Sequence, residues 1–220
     1  MTRDARHRDT ARPREPQRRG LIATVFAIVT GVFGAMVMAL ALSVILEWLG
    51  IAIGWWGPSH ALELLSIERG YIEAIEQYPL TPLGPVAVSD WVTEYLDDGL
   101  SWLGLTTHPG LYALAAINAV KLVVLRAVLS LFALPGFLLI ALAAFFEGLV
   151  ARDIRRYTGG HESSYIFHKA KRWVIPSVVL TVTLYLMVPF SLPPAVVFAP
   201  TMLLAGVMVY VATSRFKKFV

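Results

Sequence analysis

The chain has no cysteine in its 220 residues. Disulfides, zinc–thiolate sites and thiol catalysis are therefore excluded from the start. Charge is scarce too. Asp, Glu, Lys and Arg make up 15% of the residues, against about 25% in a soluble globular domain. The scarcity is uneven, and Leu21 to Leu46 runs for 26 residues without one ionisable side chain. Within the apolar runs the polar groups are Asn118, Lys121 and Arg126, and otherwise hydroxyls such as Ser130, Ser177, Thr181 and Thr183. There is no carboxylate pair, no Ser/Lys or Ser/His pair, and no deep acid of the kind proton-coupled carriers use. The inverted repeat of larger carriers is missing as well. These absences predict a chain that is no enzyme, with no cofactor and no bound metal.

Apolar length is what the sequence does have, with 57% hydrophobic residues and a mean hydropathy of +0.65. The first run would make about 39 Å of helix, enough to cross a hydrocarbon core of about 30 Å. Arginines precede it and Ala39-Leu40-Ala41 resembles a cleavage site. A signal-peptide core, however, is about 7–15 residues, so the run reads as an uncleaved anchor. A second run, Ala127 to Phe146, is closed by Glu147 and Arg152. Pro135-Gly136 lies in its middle and predicts a kink. Leu111 to Leu125 reads as an outer extension of the same helix or an interfacial segment, with Arg126 snorkelling. Val174 to Phe190 and Ala195 to Ala212, joined by the turn residues "SLPP", form a short helical hairpin, either spanning or re-entrant.

Charge segregation orients the runs. Residues 1–20 hold seven Lys/Arg against three acids, whereas 47–120 holds Arg69 against nine acids. Residues 147–172 return to six bases and three acids, and the tail after 212 has three bases and no acid. The positive-inside rule then puts the N-terminus, the 147–172 loop and the C-terminus in the cytoplasm. The expected fold class is all-α: a polytopic membrane protein with four transmembrane helices, N-in/C-in, and a small helical periplasmic cap. The expected division is a basic disordered cytoplasmic segment over 1–20, a first span over 21–46, and an acidic amphipathic region over 47–115. A second span follows over 116–149, with its core at 127–146. Next come a basic cytoplasmic elbow at 150–172, spans at 173–190 and 195–212, and a basic tail at 213–220. The expected location is a bacterial inner membrane, crossed several times.

In the cap, "ALELLSIERGYIEAIEQY" places Leu64, Ile67, Tyr71, Ile72 and Ile75 on one helical face and the glutamates largely on the other. "YPLTPLGP" breaks the chain. "VSDWVTEYLDDGLSWLGL" is a second amphipathic stretch, offering Trp91, Tyr95 and Trp102 as interface residues. Trp48, Trp55 and Trp56 fit the aromatic belt after the first span. In that span Ala23, Ala27, Gly31, Ala35, Ala39 and Ser43 recur every four residues. This small-residue ridge suits close helix packing within the chain or in a homo-oligomer.

The densest polar stretch is "YTGGHESSYIFHKAKRW", residues 157–173. His161-Glu162 followed by His168 lacks the zincin spacing, and Gly159-Gly160 lacks the strand and Gly-Lys-Ser/Thr of a phosphate loop. The glycine pair reads as a helix stop and Ser163 or Ser164 as the cap of a new helix. Tyr165, His168, Lys169 and Arg172 then share one face. The bases hold the loop in the cytoplasm and can bind anionic lipid at roughly 1 kcal/mol each. Direct nucleic-acid binding is disfavoured, because both of those roles already account for the charge.

The run "GLVARDIRRYTGGHESSYIFHKAKR" resembles a signature of the integrating conjugative element membrane proteins, a family of four-helix inner-membrane proteins encoded with conjugative type IV secretion genes. The likeness rests on Arg152, Asp153, Arg155, Arg156, Gly160, Glu162, Ser163, Ser164, Tyr165, His168, Ala170, Lys171 and Arg172, and elsewhere on architecture alone. It implies a part in horizontal gene transfer alongside other conjugation-apparatus proteins, such as the coupling ATPase, and it implies no catalytic residues. The docking candidates are Arg152, Arg155, Arg156, Gly160, Glu162, Ser163, Tyr165, His168, Lys171 and Arg172. The helix-packing candidates are Ala27, Gly31, Ala35 and Ala39. The leading expectation is a membrane component of a DNA-transfer system. An exclusion or regulatory membrane protein acting through the cap, and a small transporter or channel, are the alternatives.

Overall fold

The structure, a computed structural model, describes residues 20–77, 84–107, 109–158 and 164–215, with the side chains of 21, 22, 24, 25, 28 and 164–171 excepted. The described residues form six α-helices and no strand: α1 (Leu21–Ile53), α2 (His60–Glu76), α3 (Pro85–Trp102), α4 (Leu111–Tyr157), α5 (Ser164–Met187) and α6 (Pro194–Ser214). Three stretches are long and apolar enough to cross a membrane: Val29–Ile53, Leu111–Tyr157 and Pro194–Ser214. The apolar part of α5, Arg172–Met187, is shorter.

The spine of the fold is α4, against which every other helix packs. Its 47 residues span about 70 Å at 1.5 Å per residue, more than twice a hydrocarbon core. It runs as one helix through Pro135. The 111–125 segment is thus an extension of the same helix. Around the later half of α4, α6 packs closely enough to need glycine. A Cβ on Gly148 would meet Thr213 Cβ at 2.8 Å, and one on Gly206 would meet Ile140 Cγ2 at 2.7 Å. The main apolar core lies where α2, α4, α5 and α6 converge, around Ile72, Leu125, Leu129, Phe137, Tyr185 and Phe198.

α1 continues past Leu46 and ends at Gly54, whose φ of 78° is left-handed and suits a residue without Cβ. The Trp55 N–H then donates to the Gly50 carbonyl at 2.9 Å, closing the helix end. Trp56 folds back so tightly that a Cβ on Gly50 would overlap its indole. The indole stacks on His60, with ring centroids 4.4 Å apart.

Two glutamates start the next helices. The buried Glu47 of α1 accepts the Ala61 N–H at 3.1 Å and pairs with His60 Nδ1 at 3.0 Å. Glu76 of α2 accepts the Val86 N–H at 3.0 Å. Each carboxylate satisfies a first-turn donor that the helix itself leaves unpaired.

Two expectations for α2 need correction. Ile67 is exposed, and Glu68 is fully buried. The buried stripe runs Ala61, Leu64, Glu68, Ile72, one position away from the purely apolar face. The reason is chemical: Glu68 has a cationic partner waiting on α4, and Ile67 has none.

Candidate functional site

Burying a lone guanidinium or carboxylate costs several kcal/mol unless each is paired and its hydrogen bonds are met. Arg126 and Glu68 are both at 0% exposure, and their bond from Nε to Oε1 is 3.0 Å long. Arg126 therefore does not snorkel as its place near the end of a run suggests. The carboxylate is completed by Tyr185 Oη at 2.8 Å and Ser191 Oγ at 3.1 Å, both donating to it. The remaining guanidinium donors reach the carbonyls of Tyr185, Val188 and Phe190. Tyr185 lies in the last turn of α5, whose carbonyls the helix leaves open, and Val188 and Phe190 follow in the connection to α6, so one arginine closes α5, turns the chain toward α6 and holds α2 in place. Lys121, five residues earlier on α4, pairs with Asp97 of α3.

At the opposite end, α4 carries the basic elbow. Arg155 Nη1 donates to the Ser214 carbonyl at 2.6 Å and so caps α6. The Arg152 side chain is one-fifth exposed, with Nε 3.7 Å from the Asp153 carboxylate. Arg156 and Arg172 are exposed, and Tyr157 is exposed at 92%. The helix ends at Thr158, whose N–H and hydroxyl both bond the Ile154 carbonyl. Of the other docking candidates, Gly160, Glu162 and Ser163 lie outside the described residues. Tyr165, His168 and Lys171 fall on α5 with side chains outside the description. Arg155 thus ties the α4 end of the elbow to the end of α6. No group of three His, Asp or Glu that could hold a metal occurs among the described residues.

A family model described as "IncC plasmid conjugative DNA transfer protein DtrJ-like" matches residues 84–217, more than half of the chain. The chain belongs to the DtrJ-like family. No curated protein and no solved structure matches it. The role of this DtrJ-like chain accordingly lies in conjugative DNA transfer. That is the part shared with the sequence resemblance; the narrower integrating-element label stays a resemblance. The match takes in α3 to α6 and the elbow, and leaves α1 and α2 outside.

For the helix-packing candidates of this DtrJ-like chain, the ridge on α1 divides. Ala39 is fully buried against Val123 and Leu186, with Ala127 beside them, and Ser43 is buried too. Ala35 is half-buried, while Ala27 and Gly31 are exposed, as are the other described side chains of α1 between 23 and 34. The residues that sequence reasoning missed are Glu68, Tyr185 and Ser191. The available signal was Arg126 itself, an arginine in an apolar run that needed an acid somewhere.

Proposed function

We propose that this DtrJ-like chain is a non-enzymatic, multi-pass inner-membrane component of a conjugative DNA-transfer apparatus of the type IV secretion kind. Its basic elbow docks a partner in that apparatus, the coupling ATPase being the first candidate. The observation that carries this reading is the family match, because the matched residues include the whole elbow. Four crossings with both termini in the cytoplasm agree with the charge segregation and with the three long apolar helices. The fourth crossing is α5. Its apolar part covers about 24 Å, and the 188–193 turn and its packing on α6 make up the remaining depth. On this reading α2, α3 and the first turns of α4 form a periplasmic cap, and anionic headgroups meet Arg156 and Arg172.

A second reading is an exclusion or regulatory role through the cap. It is favoured by Trp91 and Tyr95, exposed on α3 with ring centroids 4.8 Å apart, and by Trp102 at 86% exposure. Mating experiments separate the two. A donor lacking the chain loses transfer and regains it on complementation, while a recipient lacking it mates normally. Unchanged donor transfer with recipients that no longer exclude an incoming element would move the function to the cap.

A further inference from the structure

We propose that the outward face of α3 is a docking surface for a basic segment of another protein, one that lays lysine or arginine side chains on exposed aromatic rings. This concerns the cap rather than the elbow, and it holds for either reading of the function. Ala87, Trp91, Glu94, Tyr95, Asp98 and Trp102 are all exposed. Counted from Ala87 they fall at i, i+4, i+7, i+8, i+11 and i+15, a single stripe at helical period. The opposite side of α3 carries the buried Ser89 and packs Val86 against the main core, so the stripe points away from the bundle. Trp91, Tyr95 and Trp102 are exposed at 60%, 64% and 86%. Such rings cover about 150–250 Å² each when buried, so the three present roughly 400 Å² of aromatic surface, the size of a functional patch on a monomer.

Charge selects the occupant. Of the nine carboxylates between Glu47 and Asp98, seven have side-chain partners. Glu47 and Glu76 hold helix starts, Glu63 accepts the Ser59 hydroxyl, and Glu68 pairs with Arg126. Arg69 takes Glu73 and Asp90, and Lys121 takes Asp97. The two whose carboxylates have no partner among the described residues are Glu94 and Asp98, and both stand among the rings of the stripe. A cation placed there is attracted twice, by the carboxylates and by the negative faces of the rings. A second copy of this chain does not supply it, because the cap's own bases, Arg69 and Lys121, already pair with the cap's own acids.

A bilayer does not suit this face either. A helix that lies on a membrane keeps its apolar side free of acids and carries Lys and Arg on the polar one. Here Glu94 and Asp98 would be drawn into the interface together with the rings, where a carboxylate is penalised. The stripe is also short. Trp91 to Trp102 spans about 17 Å of helix, the length of three helical turns or of about five extended residues in a partner. Leu103 and Leu105, both exposed, continue it. In an interface this small a buried aromatic anchor carries much of the affinity, and charges beside it set the choice of partner.

The test places a photo-crosslinking amino acid at Ala87 of the full-length chain, which leaves the rings and acids of the stripe intact. Cells carrying the whole conjugative element are irradiated in a mating mixture, and mass spectrometry maps the linked residue. The expected product joins α3 to a different protein, at a segment with two or more Lys or Arg within about three helical turns of the link. Glu94→Lys with Asp98→Lys lowers its yield roughly tenfold at equal membrane levels of the chain, and Trp91→Ala does so to a similar degree. Replacing the captured segment's bases with glutamate restores the yield in the Glu94→Lys, Asp98→Lys chain. A link to a second copy of this chain, to phospholipid, or to a segment without bases would overturn the proposal. So would the absence of any product, or a yield indifferent to the charge reversal.

Discussion

Replacing Glu68 with alanine lowers the stability of the purified chain by about 3–5 kcal/mol, the cost of leaving a buried charge without its partner. Arg126 has no exposure to water, so solvent cannot take over from the carboxylate. Tyr185 and Ser191 would also lose their acceptor. Arg126→Ala is expected to cost about as much, because it strands Glu68 and frees the carbonyls of Tyr185, Val188 and Phe190 together. Glu68→Leu combined with Arg126→Met leaves no buried charge. The pair is expected to be less damaging than the sum of the two singles by about 1–3 kcal/mol. Denaturant titration of the four chains in detergent measures this. Single substitutions within about 0.5 kcal/mol of the parent would mean that water reaches the pair.

The second large effect is on transfer. Arg152→Glu with Arg156→Glu in the donor is expected to reduce conjugation about a hundredfold. That corresponds to roughly tenfold, or about 1.4 kcal/mol, for each reversed charge at a docking surface. These two arginines are the appropriate pair because, among the described residues, neither bonds another helix, and Arg152 meets its neighbour Asp153. Arg155 is a different case. Arg155→Ala removes the cap on Ser214 and is expected to cost stability by about 1 kcal/mol as well, so a transfer defect there has two sources. Mating frequency, read beside an immunoblot of membrane fractions, distinguishes them. A frequency within about twofold of the parent for the double reversal would remove docking from the elbow, since two docking charges reversed should cost far more.

The helices were legible in the sequence because long apolar helices are decided by quantities one dimension holds: the length of an apolar run and the charges that close it. Leu111 to Leu125 was readable as part of the following run for the same reason, and α4 joins them as one helix. What pairs with what was not legible. Glu68 lies 58 residues before Arg126, and Tyr185 lies 117 residues beyond Glu68. No local period links them. The face of α2 was read from apolar residues, so Ile67 was counted in and Glu68 out. Burial there follows a partner rather than hydropathy. The split of the α1 ridge is similar: six small residues in one row say that a helix packs closely, and only the fold says that Ala39 is covered and Gly31 is not.

Everything proposed for the elbow depends on the side of the membrane it occupies. Trp102 and Tyr157, both almost fully exposed, stand at opposite ends of the helical bundle in a chain with no native cysteine. Trp102→Cys and Tyr157→Cys can therefore be treated in whole cells with a membrane-impermeant maleimide that passes the outer membrane. The account predicts labelling at Trp102→Cys, with Tyr157→Cys reacting only after the inner membrane is opened. Labelling of Tyr157→Cys in intact cells would contradict it.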